Sequence, residues 1–121
     1  MSTSTGAPRA CARALGFHDA RNDHGTGGSG DTNGLANDDA QYFATVSKDG
    51  GATWAANVKV SAGTSNGDAS HNGVEYGDYT GLGFAGGVIH PAWADNSNST
   101  GTNPDGTLYR FDVYTAAIAV H

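Results

Sequence analysis

The chain has 121 residues, 19 of them glycine, with six basic residues against twelve acidic ones for a net charge of −6. That length allows one modest domain, and the negative surface repels phosphate backbones, which makes nucleic acid a poor partner. No apolar run approaches the 18 or so residues of a membrane helix, and the single Cys11 excludes an internal disulfide or a multi-cysteine zinc site.

In chain order, residues 1–13 lack the apolar core and cleavage site of a signal peptide. They are expected to be disordered, and Met1 is expected to be a truncated or internal start with any secretion signal upstream. A short apolar strand is predicted over 14–18. Residues 40–47 (AQYFATVS) carry the aromatic and β-branched side chains of a strand. A further strand is predicted over 54–60, where Val58 and Val60 alternate with Asn57 and Lys59. Residues 82–93 read as a hairpin broken by Ala85-Gly86-Gly87. Residues 111–120 (FDVYTAAIAV) read as a buried strand. Between these lie three polar loops over 24–39, 61–73 and 96–106. Loops of that length are uncommon in a small domain unless they are used. The chain is therefore expected to be all-β and antiparallel.

A weak repeat runs through these elements. Phe17-His18-Asp19 matches Trp93-Ala94-Asp95, and Gln41-Tyr42-Phe43-Ala44 matches Asp112-Val113-Tyr114-Thr115. Phe17 and Trp93 are 76 positions apart, Phe43 and Tyr114 71. Unequal loops account for the difference.

The most specific string is Ser47-Lys48-Asp49-Gly50-Gly51-Ala52-Thr53-Trp54. Asp49 can accept backbone N–H bonds as Asx-turns do. Gly50 and Gly51 tolerate positive φ, and Trp54 can pack over the turn as the return strand begins. The string fills every defined position of the Asp-box pattern Ser-x-Asp-x-Gly-x-Thr-Trp. Ser47, Asp49, Gly51, Thr53 and Trp54 are thus expected to be structural.

With the ordered tail Tyr76-Gly77-Asp78-Tyr79-Thr80-Gly81-Leu82 and Gly87-Val88-Ile89-His90-Pro91-Ala92-Trp93, the chain resembles the C-terminal end of sialidase-like, Asp-box repeat β-propellers. The resemblance covers residues 14–121. It implies about two antiparallel four-stranded blades of a six-bladed propeller, the penultimate over about 14–61 and the last over about 76–120. It also implies a secreted or cell-surface parent that acts on sialylated glycan or another carbohydrate.

Sialidases use a tyrosine nucleophile, since a neutral phenol meets less repulsion from the substrate carboxylate than an anionic carboxylate would. By this resemblance Tyr79 is the candidate nucleophile, with a packing or loop tyrosine as the alternative. Arg21 is the candidate substrate-binding arginine, with an ordinary pairing to Asp19 or Asp23 as the alternative. The departures from the family are large. The Phe-Arg-Ile-Pro motif and the general-acid aspartate are absent, and the one glutamate, Glu75, adjoins Tyr76. The expected function is therefore a C-terminal piece of a sialidase-like glycoside hydrolase, inactive alone. The rival is a non-catalytic propeller module that binds glycans or proteins.

His18, His24, His71, His90 and His121 are too scattered for a zinc site. No cofactor is expected, though Asp31, Asn33, Asp38 and Asp39 leave calcium open beside plain turns. Asn98-Ser99-Thr100 is a glycosylation sequon of a kind that often arises by chance. Open blade edges predict self-association.

Overall fold

The structure is a computed structural model that describes residues 11–71, 75–77 and 80–120. The described residues are all-β, with no helix among them. Eight strands follow one another: β1 (Arg13–Asp19), β2 (Asp39–Ser47), β3 (Val58–Lys59), β4 (Ser65–Asn66), β5 (Gly81–Ala85), β6 (Val88–Asp95), β7 (Asp112–Thr115) and β8 (Ile118–Ala119). They make two antiparallel sheets. In the first, the order is β1-β2-β3, with β4 also paired to β2. In the second it is β5-β6-β7, with β8 also paired to β6.

Each sheet is built around one long strand, and each long strand meets its outer partner in two pieces. The cause is local in both cases. The strand predicted over 54–60 is reduced to Val58–Lys59 because Ala55, after bonding Val46 O through its N–H, gives its carbonyl to the Thr45 hydroxyl and leaves the ladder. Further on, Val60 N and Ser61 N share the Tyr42 carbonyl while the Ser61 hydroxyl accepts the Tyr42 N–H. This bulge separates β3 from β4. The strand predicted over 111–120 is likewise divided at Ala116–Ala117, which lie opposite His90 and Pro91. Pro91 has no N–H to offer, so the ladder lapses there. The β5–β6 hairpin turns on Gly86 and Gly87, both at positive φ (60° and 76°), as a tight two-residue connection requires.

The sequence repeat is a repeat of register. Phe17 lies opposite Phe43 and Asp19 opposite Gln41 in β1–β2. Trp93 lies opposite Tyr114 and Asp95 opposite Asp112 in β6–β7. Both pairs are in ring contact, with centroids 6.3 Å and 6.2 Å apart. Both aspartates then close the same turn: Asp19 Oδ1 accepts from Arg21 N at 2.7 Å and Asp95 Oδ1 from Ser97 N at 2.8 Å. The match is one of local register only, since β1 is an edge strand while β6 is the central strand of its sheet, and by topology β1-β2-β3/β4 corresponds to β5-β6-β7/β8.

The two sheets pack face to face. The Tyr42 ring lies flat on Trp93, with centroids 4.9 Å apart and planes 10° apart. His18 meets Tyr42 edge-on, and its Nε2 donates across the sheets to the Ala94 carbonyl. Apolar matter is scarce. Among the described residues seven hydrophobic side chains are buried against twelve polar ones, so hydrogen bonds must carry much of the contact. Asn66 and Asn96 show how. Asn96 Nδ2 donates to Asn66 O at 2.7 Å, and Asn66 N donates to Asn96 Oδ1 at 2.9 Å. Asn96 N is taken by the Ser65 hydroxyl. This reciprocal bridge joins β4 to the end of β6 with every group partnered.

Candidate functional site

The eight-residue string leaves β2 at Ser47 and closes a turn before β3. Ser47 Oγ donates to Asp49 Oδ1 at 2.7 Å and accepts from Gly51 N at 2.8 Å. Asp49 Oδ1 accepts from Thr53 N at 2.8 Å, and Oδ2 from the Thr53 hydroxyl. The Trp54 indole N–H reaches back to the Gly51 carbonyl at 3.1 Å. Gly50 and Gly51 sit at φ 77° and 102°, where a side chain would be strained. Gly50 N also donates to Cys11 O, which ties the turn to the start of the described chain. The donors of Thr53, then Ser47, hold the Asp49 carboxyl down at about 2. Asp49 is an anchor for the donors of Ser47 and Thr53.

The second concentration of charge is where the two ends of the 24–39 loop meet. Asp23, Asp38 and Asp39 can each offer an oxygen within 4.8 Å of the others. Asp23 Oδ2 accepts the N–H groups of Asp38 and Asp39, both at 2.9 Å, and its Oδ1 accepts from Gly25 N. Burial works against the Asp23 charge, but those backbone donors outweigh it and keep its carboxyl below the usual range. Asp39, fully buried, accepts from Thr32 N, the Thr32 hydroxyl and Asn66 Nδ2. Asp31 closes the loop tip by accepting from Gly27, Asn33 and Gly34 N–H groups. Asp38 Oδ2 takes the Asn33 and Asn66 amides. Asp38 Oδ1 alone, among the buried side-chain polar atoms of the described residues, lacks a hydrogen-bond partner. Calcium wants six to eight oxygens, and most of these are engaged by backbone and amide donors. The arrangement is that of carboxylates fastening a polar loop to β2 and β4. Sequence reasoning singled out Asp31, Asn33, Asp38 and Asp39 and missed Asp23. The turn signal Asn22-Asp23 was available, but its meeting with Asp39 depends on the return of the chain.

Arg21 is on the outer side of the first sheet. Its guanidinium pairs with Asp19 Oδ2 at 2.8 Å and lies 4.2 Å over the Phe43 ring, with Phe17 beside it. The Asn57 amide, turned with its oxygen toward the guanidinium, accepts from both terminal nitrogens. Of the other described arginines, Arg13 sits at the far end of β1, and Arg110 pairs with Asp105 beside the second sheet. No arginine cluster forms among the described residues. Tyr79 lies outside the described residues, as do Met1 to Ala10 and His121.

Among the described histidines, His18 is the one built into the contact between the sheets. Burial, more than its bond to Ala94 or the nearby Asp95, decides its titration and pushes its pKa down. Tyr76 stacks on its other side and donates to the Asp38 carbonyl. His90 is exposed on the second sheet. An apolar groove of about 150 Å³ opens between the sheets, lined by Ala44, Val46, Val58, Ile89, Ile118 and Val120. It contains no acid, base or nucleophile beyond the bonded Thr45 hydroxyl.

No family model, no curated protein and no solved structure matches the chain.

Proposed function

We propose that this chain forms two neighbouring blades of an Asp-box propeller of the sialidase type and serves as a non-catalytic module that binds through its long loops. The observation that carries the reading is the Asp-box turn, with the side chains of Ser47, Asp49, Thr53 and Trp54 and the backbone of Gly51 joined in one hydrogen-bonded ring of contacts. The shared topology of the two sheets, each a long central strand with one edge partner and an outer partner in two pieces, supports a blade repeat.

Arg21 favours binding over hydrolysis. A carboxylate clamp needs guanidinium donors aimed into a cleft. This guanidinium is held against an aromatic ring by Asp19 and Asn57 on an open sheet face. Sialoside cleavage would need Tyr79 to meet an arginine cluster and an acid that the described residues do not supply.

The test is hydrolysis of a fluorogenic sialoside by the 121-residue chain beside its Tyr79→Phe variant. The expected rate is the same for both and equal to the buffer blank. Turnover at least tenfold above the blank that disappears in Tyr79→Phe would overturn the non-catalytic reading.

A further inference from the structure

The long loop from β6 to β7 doubles back on itself, and two asparagines hold it in that shape. Asn103 is 7% exposed. Its N–H donates to Asn98 Oδ1 at 3.0 Å, its Oδ1 accepts from the Tyr114 hydroxyl at 3.0 Å, and its Nδ2 reaches the Arg110 carbonyl. Further on, Leu108 sits at φ 63°, where a residue other than glycine is strained. Asn96 keeps it there. The Asn96 carbonyl accepts from Leu108 N at 2.6 Å, and Asn96 Nδ2 donates to Leu108 O at 3.1 Å. The chain returns past Leu108 so that Arg110, Phe111 and Asp112 come back beside Asn103, Pro104 and Asp105. A depression of about 230 Å³ opens among these six residues.

The depression brings together charged groups that the fold leaves unused. Arg110 gives its Nε to Asp105 Oδ2 at 2.8 Å, but its two terminal nitrogens bond nothing among the described residues, and the side chain is 60% exposed. The second oxygen of Asp105 is likewise without a partner among them. Asp112 accepts from Val113 N with Oδ1 alone. Strong donors and strong acceptors therefore line one depression. Pro104 and the half-buried Phe111 add apolar surface. Tyr76 meets the Phe111 ring at 6.1 Å with the planes 70° apart, which fixes how that ring is presented.

We propose that this depression binds one ring of a neutral hexose through two adjacent hydroxyls. A hydroxyl donates and accepts at once. Two neighbouring hydroxyls can take N–H bonds from Arg110 and give O–H bonds to Asp105 and Asp112, while the C–H face of the ring lies on Phe111 and Pro104. Charge rules against the alternatives. A carboxylate or phosphate drawn to the guanidinium meets the two aspartates, and an amine drawn to the aspartates meets the guanidinium. Size limits the ligand to one ring, since pockets for larger, drug-sized molecules run from about 300 to 1,000 Å³. The inference rests on the reading of the chain as a binding module. It gives that module a ligand class, and the class excludes sialic acid.

The test is a nitrogen–proton correlation NMR titration of the full chain. The probes are the methyl glycosides of galactose, glucose and mannose, with N-acetylneuraminic acid as the anionic probe. At least one neutral glycoside is expected to shift amides within residues 103–112 with a Kd on the order of 1 mM, and N-acetylneuraminic acid to shift none of them. Arg110→Ala is expected to weaken the neutral glycoside about tenfold, with the amides of Asn103 and Tyr114 reporting that the loop keeps its shape. Asp112→Asn retains the side-chain outline and serves if the arginine variant disturbs the loop. It weakens a neutral sugar, which loses a charged acceptor, and tightens an anion, which loses a repelling charge. Binding of N-acetylneuraminic acid at 103–112 that tightens in Asp112→Asn would overturn the neutral class. A glycoside that shifts the 24–39 or 61–73 loop instead, at full strength in Arg110→Ala, would overturn this site and leave the module reading standing. No shift at 103–112 with any neutral glycoside would overturn the site as well, while the module reading is decided separately by the sialoside assay.

Discussion

Asp49 concentrates much of the local order of the first sheet in one exposed carboxylate. It accepts from the Thr53 N–H, the Thr53 hydroxyl and the Ser47 hydroxyl, and these donors lower its pKa from 3.8 to about 2. A carboxyl depressed in the folded state stabilises the fold above its unfolded pKa and ceases to do so as pH falls through its folded pKa. Asp49→Ala is therefore expected to lower Tm by about 5 °C at pH 6. The gap between wild type and variant should narrow as pH drops from 3.8 toward 2. Thermal melts followed by circular dichroism at several pH values would measure it, and a gap that stays constant across that window would mean that the charge contributes nothing.

At the level of elements, the joint between β4 and β6 rests on one side chain. Asn96 satisfies both the N–H and the carbonyl of Asn66, and all three groups are buried. Asn96→Ala leaves two backbone groups without partners and is expected to cost roughly 2–4 kcal/mol, measured by urea unfolding at constant m. A loss under 0.5 kcal/mol would show that water replaces the amide. This joint also marks how far the sequence could be read. Local chemistry is legible: the Asp-box turn and the Gly86-Gly87 hairpin are each specified by residues within eight positions of one another. What depends on the return of the chain is not. The break opposite Pro91 needs the register of β6 against β7 and β8. Strand β4, within a segment predicted to be loop, exists because Asp39 and Asn96 receive it. Arg21 is visible as a charge in the sequence, but its seat on Phe43 follows from the pairing of β1 with β2.

At the scale of the fold, the balance among the described residues of twelve buried polar side chains to seven buried hydrophobic ones makes stability depend on directional bonds more than on burial of apolar area. Directional bonds fail together when one strand leaves. The chain therefore has little capacity for partly ordered compact states, which need apolar collapse to persist. The expected outcome is one cooperative transition, coincident by near- and far-ultraviolet circular dichroism, and separate midpoints would contradict it.

Asn66 stands immediately before Gly67, the sequence step at which a free chain most readily cyclises through attack of the glycine nitrogen on the asparagine amide. In the folded molecule that amide is immobile, since Asn66 Nδ2 donates to Asp39 and Oδ1 accepts from Ala69 N. Unfolding releases it, and hydrolysis of the ring would leave an aspartate or isoaspartate where an amide must donate to Asp39. The native fold thus shields its own joint from chemical ageing, and time spent unfolded is recorded irreversibly in the covalent structure.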